Sequence, residues 1–225
     1  MVPAPPDLVI FDCDGVLVDS EPISNAVLAA LLTRYGLTIS AQDALREYKG
    51  LLMRDLIAKA EGALGAALPG GFVAEFEALR ELEFRAHLQA IPGARTAVEE
   101  VRASGVKVCV ASQGKLAKTE LTLTLTGLRD LFSANELFSA HTVARGKPHP
   151  DLFLHAARTM DADPSRCAVI EDTTLGVRAG LSAGMRVLWF AAAQDGEDSE
   201  LDGAAVERVF ALPEVPVRLG LRDRA

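Results

Sequence analysis

The sequence predicts an α/β protein in which a parallel sheet flanked by helices is interrupted, after its first strand, by an all-helical insertion. Three observations predict it. Short, nearly continuous apolar runs at Leu8–Phe11, Val106–Ala111, Ala168–Ile170, Val187–Phe190 and Val206–Phe210 read as strands buried on both faces. Helical patterns at Ala94–Ala103, Leu116–Thr126, Pro150–Met160 and Leu175–Ala183 separate the later runs, so strand and helix alternate as in a Rossmann-like, doubly wound sheet. The alternation fails once, from about Ser20 to Gln89, where only helical periodicity is found.

The first strand, Leu8–Phe11, runs straight into Asp12-Cys13-Asp14-Gly15. Asp and Gly commonly end strands in turns, which accounts for one acid and the glycine. It accounts less well for acids at i and i+2, which point the same way in an extended chain and repel unless a cation or proton intervenes. The insertion carries "AVLAALLTRYGL", "RDLIAKAEGALG" and "FVAEFEALRELEFRAHL". In the last of these Phe72, Phe76, Leu79 and Leu82 recur at helical spacing, which predicts a buried stripe. Some 70 residues of helix are too many for one crossover. The expected organisation is therefore a core domain of residues 1–16 and 91–225, with a helical cap domain of residues 17–90. The two connections, Val16–Pro22 and the return near Ile91-Pro92-Gly93, suit a hinge.

In an open parallel sheet, ligands bind outside the carboxyl ends of the strands. The strand in "VKVCVAS" ends at Ser112, followed by Gln113-Gly114-Lys115 at the start of a helix. A hydroxyl with backbone N–H groups there makes an anion site, although a plain helix cap has the same signature. In "ARGKPHP", Lys147 sits in a loop bounded by prolines; alone, a loop lysine is more often simply solvated. "CAVIEDTTLG" drives an apolar strand into Glu171-Asp172, two acids that each need a partner. Acids without His or Cys companions favour a hard cation such as Mg2+. A metal, an anion cradle and a lysine at one sheet edge suit phosphoryl transfer.

Composition narrows the partners. The 225 residues are 49% hydrophobic and 24% charged, with a net charge of −8 and no Lys/Arg block, so neither nucleic acid nor an acidic membrane surface is expected. Cys13, Cys109 and Cys167 lie in or beside apolar runs without metal-site spacing, as reduced thiols of a cytoplasmic protein would. The start, "MVPAPPD", has no basic segment, and no apolar run approaches the roughly 20 residues of a membrane span. Asp195–Asp202 reads as a solvated loop. A monomer or weak dimer is expected.

These strand ends resemble the four motifs of the haloacid dehalogenase superfamily of phosphohydrolases and phosphomutases. "FDCDGVLVDSE" is similar to the first, "VASQG" to the second, Lys147 in "GKPHPD" to the third and "VIEDTTLGVRAGLSAGM" to the fourth, in order over essentially the whole chain. The insertion resembles the helical cap of the β-phosphoglucomutase-like subfamily. "YKG", "ELFSAHTVARGKPHPDLFLHAA" and "AGMRVLWF" resemble a branch of sugar-phosphate phosphatases that includes 6-phosphogluconate phosphatase. The resemblance implies that Asp12 attacks phosphorus to form a phosphoaspartate, and that Asp14 serves as acid and then base. It implies Mg2+ on Asp12, the Asp14 carbonyl and Asp172, with Glu171 on the ion or just behind its ligands. Ser112, the neighbouring N–H groups at Gln113 and Lys147 would bind phosphoryl oxygens, and Gly15 would turn the chain into the flap. Lys49, Gly50 and Arg54 of "YKGLLMR" would read the substrate as the cap closes, a surface role for Arg54 being nearly as well supported. Gln113 stands where small polar residues are frequent, and Thr173 where Ser is common.

The leading expectation is a Mg2+-dependent phosphatase of a small phosphorylated metabolite, a sugar phosphate or sugar-acid phosphate; the alternative is a β-phosphoglucomutase-like mutase. The mutases it resembles carry a His ten residues after the second acid of the first motif. Here Ser24 stands there and Asp14 is left unrestrained, which favours hydrolysis, whereas Val16 and a phosphate grip by Lys49, Gly50 and Arg54 lean towards the mutase. A dehalogenase needs neither Asp14 nor Glu171-Asp172. A receiver domain of the response-regulator type lacks Asp14 and the insertion. A degenerate binding protein would not retain every residue the chemistry requires.

Overall fold

In the computed structural model, which describes residues 4–191 and 206–221, six strands form one sheet. They are β1 (Leu8–Phe11), β2 (Lys107–Ser112), β3 (Leu137–Ser139), β4 (Cys167–Glu171), β5 (Arg186–Phe190) and β6 (Glu207–Val209). Every pairing is parallel, and the order is β3-β2-β1-β4-β5-β6. The chain moves outward from β1 to β3, then crosses back to lay β4 on the other side of β1. Strand order therefore reverses at β1, the position where open α/β sheets form their binding crevice.

Alternation along the strands sorts the core into two faces. Leu8, Ile10, Cys109, Ala111, Cys167, Val169 and Val187 share one buried cluster with Leu152, Phe153 and Ala156 of α7 (Asp151–Thr159) and Val177 of α8 (Thr174–Ser182). Val9, Phe11, Val108, Val110, Ala168 and Ile170 are the intervening residues, and they are equally buried. Helices α5 (Ala94–Ala103) and α6 (Leu116–Leu125) complete the alternation seen in the sequence. Strand β3 was not expected; three residues are too few to show a period. Helix α9 (Glu214–Arg218) was also missed, being five residues long with Pro216 inside it.

The contacts divide the chain into one unit of Met1–Val18 with Ala90–Ala225, and a second of Asp19–Gln89. The second is built from α1 (Glu21–Arg34), α2 (Ala41–Tyr48), α3 (Met53–Leu64) and α4 (Phe72–His87). It has its own core, in which Leu28, Leu31, Leu32, Tyr48, Leu56, Phe72 and Phe76 are buried together and Leu79 packs against them. Leu82 departs from the expected stripe and is 63% exposed. At about 100° per residue it lies ~80° around the helix from Phe72, beyond the buried edge. Helix α2 has a signal that periodicity alone overlooks: the Ser40 hydroxyl accepts the Asp43 N–H at 3.0 Å, a cap of the S-x-x-D kind.

Among the described residues no helix is long and apolar enough to cross a membrane. The acidic stretch Asp195–Asp202 lies outside the described residues.

Candidate active site

The register of the central strands assembles the site. Phe11 lies beside Val110 on one side and Ile170 on the other, so β1, β2 and β4 end at one edge. Asp12 continues that ladder by one bond, its N–H donating to Ile170 O at 2.9 Å. The chain then turns sharply at Gly15, whose φ of +82° suits glycine, and its N–H donates to Val18 O at 2.9 Å. A side chain is excluded there twice over, because a Cβ on Gly15 would lie 2.2 Å from Asp172 Oδ2.

Lys147 is not a solvated loop lysine. It is 6% exposed, and its ammonium donates to Asp12 Oδ1 at 2.7 Å, Glu171 Oε1 at 2.5 Å and Ala111 O at 3.1 Å. These three acceptors match the three protons of an ammonium. Burial alone would pull the lysine's pKa down, but the charges of Asp12 and Glu171 outweigh it and hold the ammonium above its ordinary value. Burial dominates at Asp12 and pushes its carboxyl well up. Lys147 opposes that shift, and Glu171, Asp172 and Asp14 add to it.

Glu171 is fully buried and uses both oxygens. Oε1 takes Lys147, while Oε2 accepts the Thr173 N–H at 2.9 Å and the Thr173 hydroxyl at 3.0 Å. The same hydroxyl accepts the Gly176 N–H at 3.1 Å and so caps α8. Thr173 thus performs both tasks that a serine could perform there. A Cβ on Gly176 would lie 1.9 Å from the Glu171 carboxyl carbon. Gly176→Ala is therefore expected to cost about 1–3 kcal/mol, because Glu171 is tethered at both oxygens and cannot yield without breaking a bond. Urea melts of the two proteins check this; coincident midpoints would refute the placement of Glu171.

Asp12, Glu171 and Asp172 each offer a carboxylate oxygen, and these oxygens lie within 4.8 Å of one another, all on buried residues. The donor set is all oxygen and anionic, with the charge crowding that a divalent cation would relieve. It fits a hard ion such as Mg2+ and not a soft one. Trp189 lies beside this group, with Nε1 donating to the Asp172 carbonyl at 3.4 Å.

One expectation needs correction, and one alternative reading falls away. Asp14 is not unrestrained: Lys118, in the first turn of α6, forms an ion pair with Asp14 Oδ1, and Ser112 Oγ donates to Oδ2 at 3.4 Å. Lys118 escaped sequence reading because a lysine six residues beyond Ser112 on a helix surface carries no local signal. Nor does Ser112 cap α6, which begins four residues later after Lys115. Its hydroxyl accepts the Gly114 N–H at 3.0 Å and shapes the loop instead, and Ser139 at the end of β3 donates to Gly114 O at 2.6 Å from the other side. The Gln113 side chain is turned onto the backbone of Lys147.

The structure thus brings Asp12, Asp14, Gly15, Ser112, Gln113, Lys147, Glu171 and Asp172 together within one unit. Lys49, Gly50 and Arg54 belong to the helical unit. Lys49 ends α2 with its N–H on Leu45 O at 3.2 Å, Gly50 has φ +76°, and exposed Arg54 contacts Asp55 at 3.2 Å.

Comparison with known proteins follows the same lines. The family model for haloacid dehalogenase-like hydrolases matches residues 6–184. The chain is 30% identical to 6-phosphogluconate phosphatase of Escherichia coli (strain K12) over 189 residues, 83% of each chain. It is 32% identical to hexitol phosphatase B of the same organism over 183 residues, covering 79% of this chain and 80% of that protein. Among solved structures, a HAD family hydrolase from Deinococcus radiodurans R1 with bound phosphate and sodium superposes with a TM-score of 0.80 at 30% identity. That match covers 99% of this chain and 100% of the other. A putative beta-phosphoglucomutase from Thermotoga maritima gives a TM-score of 0.74 at 25% identity, covering 94% and 97%.

Proposed function

The chain belongs to the haloacid dehalogenase-like hydrolases, and from that premise we propose that it is a Mg2+-dependent phosphatase of a small phosphorylated sugar or sugar acid, acting through a phosphoaspartate on Asp12. It is a phosphoric monoester hydrolase, as its phosphatase relatives are. The observation that carries the finer reading is the Lys147 ammonium bridging Asp12 and Glu171 at the crevice of the sheet.

In this reading Asp12 attacks phosphorus in line with the departing alkoxide oxygen, and Asp14 protonates that oxygen as the P–O bond breaks. Asp14 then takes a proton from the water that opens the aspartyl phosphate, which returns Asp12 and releases inorganic phosphate. Ser112 and the loop that follows it bind phosphoryl oxygens, and Lys147 offsets their charge while opposing the upward pull of burial on the Asp12 carboxyl. Glu171 fixes Lys147, and Lys118 with Ser112 fixes Asp14. Asp12, Asp172 and the Asp14 carbonyl would hold Mg2+, with Glu171 behind them; when bound, the ion neutralises charge on the phosphoryl oxygens. Lys49, Gly50 and Arg54 are assigned here to substrate choice. The buried free thiols Cys13, Cys109 and Cys167 support a reducing, cytoplasmic setting.

The test is phosphate release from 6-phosphogluconate, hexitol phosphates, phosphoglycolate and nucleotides, with Mg2+ and with chelator. Mg2+-dependent release from a sugar or sugar-acid phosphate is expected; release from none would sink the proposal. The mutase reading draws on the Thermotoga likeness and on the Lys118–Asp14 pair. It predicts glucose 6-phosphate, with little free phosphate, from β-glucose 1-phosphate and catalytic glucose 1,6-bisphosphate. Free phosphate is the product expected here.

Asp172→Ala should weaken Mg2+ binding by at least about a hundredfold, since it removes a ligand and not merely a ligand's support. In the parent, saturating Mg2+ should raise the melting temperature, by about 2.7 kcal/mol of stability at a hundred times Kd. In the variant, at the same Mg2+ concentration, that gain should fall to about 0.4 kcal/mol or less. Equal shifts in the two proteins would remove Asp172 from the metal site.

A further inference from the structure

We propose that Gln113 is a positioning residue that locks the backbone of Lys147, and that glycine at 146 is what makes room for it. The Gln113 amide meets the Lys147 backbone twice. Its Nε2–H donates to Lys147 O at 3.2 Å, and the Lys147 N–H donates to Oε1 at 3.1 Å. A primary amide places a donor and an acceptor side by side, so the pairing fixes orientation as well as distance. It joins the loop after β2 to the loop before α7, two segments 34 residues apart in the chain.

Gly146 supplies the second observation. It is buried, and its φ lies outside the left-handed region, so the backbone there would accept an alanine. A Cβ, however, would lie 2.8 Å from Gln113 Oε1, 3.1 Å from Nε2 and 3.2 Å from Cδ. The obstacle to a side chain at 146 is thus the Gln113 amide itself. The two residues form one device, and damage to either should release the same loop.

The lysine that the device holds ends on Asp12, 135 residues away. A lysine stem has several rotatable bonds, so the ammonium is placed accurately only if the backbone beneath it is fixed. A misplacement of about 1 Å at a reacting group can cost on the order of a hundredfold in rate. For that catalytic consequence, though not for the geometry, the inference rests on the phosphatase reading.

The experiment uses the full chain with Gln113→Met, which keeps the length and loses both bonds, Gly146→Ala, which puts a methyl group where the amide lies, and the double variant. Each single variant should lower kcat for phosphate release about 10–100-fold and leave the fold intact by circular dichroism. Exchange of the Lys147 backbone N–H, followed by NMR, should accelerate in both. The double variant should be no slower than the worse single one, because both remove the same interaction. Unchanged kcat and unchanged Lys147 exchange in Gln113→Met would overturn the proposal, as would a double variant whose loss is the product of the two single losses. Accelerated exchange in the variants of a protein that releases no phosphate from any substrate would uphold the clamp and overturn the phosphatase reading instead.

Discussion

Asp12→Asn is expected to abolish phosphate release, by more than about a thousandfold, in a protein that remains folded. The amide has nearly the shape of the carboxylate but cannot attack phosphorus. The fold should tolerate the change because the Asp12 carboxylate is itself under strain from its surroundings. Burial and the nearby Glu171, Asp172 and Asp14 push its pKa well above the ordinary 3.8, against the pull of Lys147. A carboxyl raised in this way favours folding while it is protonated. That contribution is fully present below 3.8 and is lost as pH rises through the elevated folded value. In chelator at neutral pH the variant should therefore melt no lower than the parent, and any advantage should disappear on acidification towards pH 4. Thermal melts at the two pH values, beside a phosphate-release assay, check both parts. Appreciable turnover by the folded variant would refute Asp12 as nucleophile.

Lys147→Met is expected to have the opposite balance, with activity lost and stability lost as well. The side chain is buried and its ammonium satisfies Asp12, Glu171 and Ala111 O together. Methionine fills the same volume without the charge, leaving two buried carboxylates facing each other with Asp172 beside them. Removing one partner of a buried ion pair typically costs about 3–5 kcal/mol, or roughly 10 °C in melting temperature for a chain of this size. The loss should shrink at acid pH, where the raised Asp12 carboxyl takes up a proton, and in saturating Mg2+. A variant that melts with the parent at neutral pH in chelator would show that Lys147 is not the counter-ion of this cluster.

The chemistry-bearing residues were legible in the sequence wherever a local pattern broke. Asp12 and Asp14, Ser112, and Glu171 with Asp172 each end a short apolar run, and charge at the end of a buried strand is conspicuous without knowledge of the fold. The helical insertion was visible for the same reason, as a loss of alternation sustained over about 70 residues. The misses have the converse cause. Strand β3 and helix α9 are too short to carry a period, and Leu82 lies at the rim of an amphipathic stripe that a linear spacing rule does not resolve.

The pairings within the site were decided only by the tertiary structure. Lys147 meets Asp12 across 135 residues and Glu171 across 24, Lys118 meets Asp14 across 104, and Gln113 meets Lys147 across 34. No local preference encodes such contacts. They follow from the strand order and from the register that ends β1, β2 and β4 at one edge, which in turn follow from burying two apolar faces at once. By itself the sequence determined that acids, a hydroxyl and a lysine are available at strand ends, because backbone preference and burial are read over a few residues. The fold alone decided which charge faces which, because in a desolvated crevice an ion pair depends on distances set by segments remote in the chain.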